Sequence, residues 1–550
     1  MSISYVQLKR AAFFCLGLPS VIFLLGFLRW YIGVPIALLL TAAYVFAVRK
    51  GEEREERTVV LSRSSLWVLF FVVVFWCYLA GLGNLYAQSD DWSARNAIFR
   101  DLIRMDWPVV YEAKDAALVY YIGYWLPAAL VGKGVLWLTG RLSLAWTLGN
   151  LALWAWSAIC IFLVLLLVLL FVGAATKKQM WLIALIFVFF SGLDIVGTMY
   201  NFFVRGLSFP IHIEWWTVYQ FSSMTTALHW VFNQSIFAWL ASALFLLERR
   251  VRSYAFILVC LLAASPLPAV GLALYMVGYA IVLGARSARK RALGGFLRDV
   301  FTVQNIIAVL FLLPIYFLYY KTNLAVNVGQ MNTVIPPRDF RGMAVLVIMV
   351  IGASLAFAML RRWRGAVDAR VVWTVLLTLL ATLAALWLDP TVRLRYLVFL
   401  CLEVFVFLIL IWHAHREEPL FYLTWGIAML CPIVTVGTAA DFCMRASIPV
   451  VFVTMILCMR YLLARKEWMA TKGMTAQKGV CLALIAVMIL GAVTPTVEFY
   501  RGARDFLLGK RAFDWIYTMD QIFEGALEGT DRNFIATAYR EHFFFRYLTK

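Results

Sequence analysis

Ser89-Asp90-Asp91-Trp92-Ser93-Ala94-Arg95-Asn96-Ala97-Ile98-Phe99-Arg100-Asp101-Leu102 is dense in charged and amide side chains, yet it follows directly on an apolar run at residues 65–86. Charge is costly in hydrocarbon, so this stretch must leave the apolar phase or be paired inside protein. The runs around it decide which phase that is. Of the 550 residues 64% are hydrophobic, gathered into many uncharged stretches of the length that crosses a bilayer core of ~30 Å. The expectation is an all-α, polytopic integral membrane protein, with residues 89–102 opening a long loop at one membrane face.

Candidate spans lie at about residues 11–28, 31–48, 65–86, 144–172, 179–198, 233–248, 254–264, 269–285, 303–320, 341–360, 371–388, 396–412, 420–437, 446–464 and 478–496. Thirteen to fifteen transmembrane helices are therefore expected. No short basic-apolar-small leader with a cleavage site stands at the N-terminus, so Phe13 to Phe27 reads as a retained span. The nine cysteines fall mostly inside apolar runs without CxxC pairing, which suggests neither a disulfide framework nor a zinc site. The net charge of +19 does not indicate a nucleic-acid partner, because lysine and arginine cluster at the ends of apolar runs.

That clustering orients the chain. With a cytoplasmic N-terminus, the basic runs Arg49 to Arg63, Lys177-Lys178, Arg249 to Arg252, Arg286 to Arg298, Arg361 to Arg364 and Arg460 to Lys478 all face the cytoplasm. This requires Leu118 to Leu138 not to span. Its aromatic residues Tyr120, Tyr121, Tyr124, Trp125 and Trp137, with Pro127 and Gly132, suit a re-entrant or interfacial piece. Residues 88–143 then form one long outer-face loop, with an amphipathic part at Asn96 to Arg104. Residues 1–64 read as an N-terminal helical hairpin with a cytoplasmic linker, 65–497 as the main transmembrane module, and 498–550 as a short helical tail capping the outer face.

The same orientation gathers the polar residues of distant segments on the outer side: Asp90-Asp91, His212, Glu214, Trp215, Trp216, His229, Asn233-Gln234, Arg338, Asp389, Arg393, Arg395, and Asp441 with Arg445. Acids, amides, cations and aromatic rings could thus share one cavity. Two acids lie at membrane depth, Asp194 in the outer half of a span and Glu403 near the middle of another, and each should face protein or a wet cavity. Ser265-Pro266-Leu267-Pro268 reads as an outer turn between two short apolar pieces.

The acidic pair just after an early span, the segment ending Arg104-Met105-Asp106-Trp107-Pro108, and Leu118-Val119-Tyr120-Tyr121-Ile122-Gly123-Tyr124-Trp125-Leu126-Pro127 together resemble the GT-C class of membrane glycosyltransferases. Trp230-Val231-Phe232-Asn233-Gln234 and Asp441-Phe442-Cys443-Met444-Arg445-Ala446-Ser447-Ile448-Pro449 are similar to pieces of a bacterial branch with that architecture. The resemblance implies a GT-C-like fold in a bacterial inner membrane, with a catalytic acid on the first outer loop, juxtamembrane helices, a polyprenyl-phosphate-linked sugar as donor, and an extracytoplasmic glycan, lipid or protein as acceptor. The chain departs from the class in two respects. Two spans precede that of the acidic loop, and Lys114-Asp115-Ala116-Ala117 stands where aminoarabinose and protein-mannose transferases carry Lys-Pro-Pro.

Such a transfer needs a base for the acceptor hydroxyl and cationic support for the departing phosphate. Asp91, at the start of the amphipathic segment, is the first candidate for base, with Asp90 next. The two are also candidates for jointly holding a divalent cation, Mg2+ or Mn2+, and the competing reading is a solvated helix N-terminus. Arg445 leads for the phosphate, with Arg393, Arg395 and Arg338 as alternatives to it; interfacial snorkelling explains any one of them equally well. Asn96, Trp215, Trp216, His229, Asn233, Gln234 and Asp441 are candidate substrate contacts, although interfacial tryptophans commonly only anchor and Asp441 can simply pair with Arg445. A different class remains open, a secondary transporter or lipid flippase working through Asp194 and Glu403, for which matched broken helices would be the sign.

Overall fold

The computed structural model describes residues 2–49, 57–89, 91–215, 219–248, 250–324, 393–434, 441–469, 476–510 and 533–550. Asp90, Trp216, Arg338, Asp389, the expected spans 341–360 and 371–388, and the side chains of Arg393 and Arg395 lie outside the described residues. Within them the chain is a helical, multi-pass membrane protein. Eight helices are long and apolar enough to cross a bilayer, or nine if one bent pair counts as a single span.

The N-terminal hairpin consists of α1 (Tyr5–Phe27) and α2 (Trp30–Val48). A capping box opens α1: Ser4 accepts from the Gln7 N–H while the Gln7 side chain accepts from the Ser4 N–H. After α3 (Arg63–Leu79) the loop begins, carrying α4 (Trp92–Arg104) and α5 (Leu126–Thr139) before the long α6 (Leu142–Val172). Next come α7 (Lys177–Phe189) and α8 (Asp194–Phe203), bent by 41° at their junction, then α9 (Met224–Trp230) and α10 (Phe232–Leu247). Between α11 (Tyr254–Leu262) and α12 (Pro266–Arg289) the expected turn at Ser265 is present. The second piece is a full 24 residues, however, because Pro266 and Pro268 fall in the first turn, where proline costs no hydrogen bond.

Leu118 to Leu138 is indeed broken. Residues 116–118 are extended, a single helical turn occupies Ile122–Tyr124, and α5 starts with Pro127 in its first turn and ends at Gly140 in the left-handed region. The amphipathic segment Asn96 to Arg104 belongs to α4, which is buried more fully than an amphipathic pattern implies. Trp92, Arg95, Asn96, Phe99, Asp101 and Leu102 are all buried, because α5 and α6 pack over it. Its polar groups are satisfied inside: Asn96 donates to Gln88 Oε1 at 2.9 Å, and Tyr111 donates to Asp101 Oδ2 at 2.9 Å.

Two small sheets pin the two ends of the bundle. At one end β1 (Ser2–Ser4) pairs antiparallel with β2 (Thr58–Val60). Nearby, Tyr5 donates to Glu248 at 2.9 Å and Arg252 pairs with Asp299 at 3.0 Å. At the other end β3 (Val110–Tyr111), β4 (Ala116–Leu118) and β5 (Ile535–Thr537) form an antiparallel sheet in that order, with Ala117 opposite Ala536. The tail therefore contributes a strand to the long loop as well as helical turns. It also reaches the α1–α2 turn, where Arg29 Nε donates to the Thr549 carbonyl at 2.8 Å and Leu28 bridges Thr549.

Candidate functional site

The site is built on the second end of the bundle, where α4 docks against the turn between α9 and α10. Trp92 Nε1 donates to the His229 carbonyl at 3.1 Å, and its ring stacks on Phe232 with centroids 4.0 Å apart. One turn further on, Arg95 donates through Nη1 to the Trp230 carbonyl and through Nη2 to Asp91 Oδ2 at 2.9 Å. Its guanidinium also lies over the Phe232 ring, 5.5 Å from the centroid. Asp91 makes no hydrogen bond to the start of α4; its carboxylate is directed to Arg95 and stays 52% exposed, while the Arg95 side chain is only 6% exposed.

A second guanidinium approaches from the helix Asp441–Ala446. Arg445 pairs with Asp441 at 2.6 Å, and its Nε is buried without a partner. The Tyr120 ring lies against that of Tyr121, tilted by 34° with centroids 3.6 Å apart. The Tyr120 backbone is fixed on both sides, since Tyr319 Oη accepts from its N–H and donates to its carbonyl, each at 3.1 Å.

Close by in the chain of contacts stand Asn233 and Gln234, in the first turn of α10. They are 0% and 1% exposed, and none of their four side-chain amide atoms has a partner. An unpaired buried amide costs about 1–3 kcal/mol, so two in succession demand an explanation. The Gln234 carbonyl accepts from Ser265 Oγ at 2.8 Å at the head of α12. Gly271 of α12 lies so close to Asp441–Ala446 that a Cβ there would meet the Ala446 carbonyl oxygen at 1.9 Å.

Other candidates are engaged elsewhere. His229 is buried with Nδ1 2.9 Å from the Thr225 carbonyl and Nε2 3.1 Å from that of Leu79, and burial lowers its pKa. Trp215 is buried, its Nε1 donating to Glu403 Oε1 at 2.9 Å, so its ring offers no open face for a sugar. Asn96 serves the loop fold through Gln88. Asp194 and Glu403, from segments far apart in the chain, meet carboxyl to carboxyl.

Sequence reasoning missed Arg95, Glu498 and Arg501. Arg95 had a signal in its i, i+4 spacing from Asp91. Glu498 had none. It is fully buried and accepts from Trp230 Nε1 at 3.2 Å, from Arg501 Nη2 at 2.8 Å and from His212 Nδ1. His212 reaches Glu214 with its other nitrogen at 2.9 Å. Burial works against charge on that ring, but Glu214 and Glu498 outweigh it and raise its pKa to about 10. The imidazolium thus ties the 204–223 loop to the helix Val493–Leu507 beside Trp230, whose carbonyl Arg95 holds.

No protein-family model, curated protein or solved structure matches this chain.

Proposed function

We propose that the chain is a GT-C-like membrane glycosyltransferase that moves a sugar from a polyprenyl-phosphate-linked donor to an extracytoplasmic acceptor. The observation that carries this reading is the half-exposed carboxylate of Asp91 held by the buried Arg95, together with a second buried guanidinium, Arg445, whose Nε has no partner. The unpartnered amides of Asn233 and Gln234 add donors and acceptors suited to sugar hydroxyls. The bias of basic runs supports reading this end of the bundle as the outer one and the β1–β2 end as the cytoplasmic one.

In this mechanism the acceptor hydroxyl gives its proton to Asp91 as its oxygen attacks the anomeric carbon. The bond from that carbon to the phosphate oxygen breaks, and the lipid phosphate leaves with an added negative charge. Arg445 stabilises that charge through its planar fork, with Arg95 aiming the Asp91 carboxylate. Were a divalent cation, Mg2+ or Mn2+, part of this reaction, Asp91 with its sequence neighbour Asp90 would be the residues to hold it, and its role would be to neutralise phosphate. A second reading, a transporter or flippase, draws support from the contact of Asp194 with Glu403 at a bent helix junction.

The test is transfer from a panel of radiolabelled polyprenyl-phosphate sugars by protein in lipid vesicles. The expected result is turnover by the wild type that falls at least 100-fold in Asp91→Asn and in Arg445→Gln. Absence of transfer from every donor, with folded protein and measurable solute flux, selects the transporter.

A further inference from the structure

We propose that the meeting point of α8, the helix Tyr396–His415 and the helix Gln477–Leu507 is a binding site for a single desolvated hard cation, held by oxygen atoms alone. One helix is broken and a second is locally deformed at the same place, where a third packs closely. α7 gives way to α8 across Phe190–Leu193. Facing that break, residues Cys401–Phe405 form a π-helical turn inside their helix, a form concentrated at functional sites. The two irregularities interlock, because the Leu193 N–H donates to the Leu402 carbonyl at 3.1 Å. A third helix, running from Gln477 to Leu507, packs onto this point, since a Cβ at Gly491 would lie 2.7 Å from the Ser191 carbonyl oxygen and 2.9 Å from that of Gly192.

Oxygen donors gather at this point. The Asp194 and Glu403 carboxyls are 6% and 3% exposed and touch each other. Ser191 Oγ donates to Asp194 Oδ2 at 3.1 Å, and Trp215 Nε1 supports Glu403 Oε1. Glu403 Oε2 has no hydrogen-bond donor. Thr198, one turn along α8 on the Asp194 face, has a buried hydroxyl without a partner, as does Thr494, three residues beyond Gly491. Two glycines let these groups approach the break: a Cβ on Gly192 would fall 1.8 Å from Glu403 Oε2, and one on Gly197 would fall 2.0 Å from the Trp215 ring.

The donor set decides the ligand class. Carboxyl and hydroxyl oxygens beside the carbonyls of a helix break suit sodium, calcium or magnesium rather than a soft metal. Cys443, within electrostatic reach of Glu403, directs its thiol to the Gln220 carbonyl at 3.5 Å. The other charged groups in reach of Asp194 are Glu214 and His212, which pair with each other. The inference is independent of sugar transfer, which uses other residues.

The experiment follows thermal unfolding and tryptophan fluorescence of the full chain in nanodiscs at constant ionic strength, with choline chloride replaced in turn by sodium, calcium or magnesium chloride. At least one of these cations should raise the midpoint saturably in the wild type and in Asp91→Asn, which separates this site from the Asp90–Asp91 pair. Glu403→Gln, nearly isosteric, should keep the choline midpoint and lose the response. Thr198→Val, which removes only an unpartnered hydroxyl, should weaken apparent affinity at least tenfold. A wild type indifferent to all three cations, or a response that persists in both Glu403→Gln and Thr198→Val, overturns the proposal. Should Glu403→Gln fail to fold, Thr198→Val decides alone.

Discussion

Arg95 and Asp91 form an ion pair of 2.9 Å across one turn of α4, and the two partners differ sharply in burial. The asymmetry makes their substitutions unequal. Arg95→Gln leaves the Trp230 carbonyl without its charged donor inside the protein and should cost about 2 kcal/mol. Asp91→Asn loses only an exposed pair and should cost less than about 1 kcal/mol. Chemical unfolding of the two variants in the same detergent checks the order; equal losses would mean that the pair itself, rather than the carbonyl contact, holds α4.

A paired glycine experiment tests the packing behind Arg445. Gly271→Ala drives a methyl into the Ala446 carbonyl, a backbone atom that cannot swing aside, and should destabilise by about 3 kcal/mol while shifting Arg445. Gly426, inside the helix Pro419–Leu430, has open space where its Cβ would stand. Gly426→Ala should therefore stabilise by about 0.5–1 kcal/mol through helix propensity. Thermal midpoints moving in opposite directions confirm the pair.

The His212 clamp makes a prediction about pH. Its pKa is raised in the folded chain to about 10 from 6.5, so the stability it supplies is complete below 6.5 and is lost as pH rises through about 10. Wild-type unfolding midpoints should fall across that window, and His212→Gln should start lower and stay flat. A wild-type profile parallel to that of the variant would show that the ring is neutral in the native state.

Glu418, at the opposite end, behaves with the other sign. Burial acts to raise its pKa, but His415 and Arg460, the latter at 2.5 Å, overcome that and lower it from 4.5 to about 2. Its contribution is present above 4.5 and fades as pH falls through about 2. Glu418→Gln should thus be less stable than wild type at pH 6, and the gap should close on acidification, as read by intrinsic fluorescence.

Much of the helical layout was legible because a span of twenty apolar residues is a one-dimensional signal: α1, α2 and α6 lie within a few residues of where hydropathy puts them. The meeting of Asp91 with Arg95 was signalled by their i, i+4 spacing but not read from it. The β4–β5 pairing was not, since Ala116–Leu118 and Ile535–Thr537 are three residues each and carry no periodicity. Nor could the π-turn around Glu403 be read, because it is imposed by the broken junction opposite rather than by any local residue. The burial of α4 escaped for a related reason. Its polar residues look like a wetted face until Gln88, Tyr111 and Trp230 supply partners from outside the helix.

The bridge between Leu28 and Thr549 bears on how the molecule is made. The Arg29 guanidinium and the Thr549 carbonyl it holds lie 520 positions apart, and the Val119 N–H finds its acceptor at Phe534. Residues made long before residue 533 therefore wait for their polar partners until that later segment is synthesised. A chain cut before residue 533 lacks β5, which leaves the β4 edge unpaired and open to a strand from another molecule.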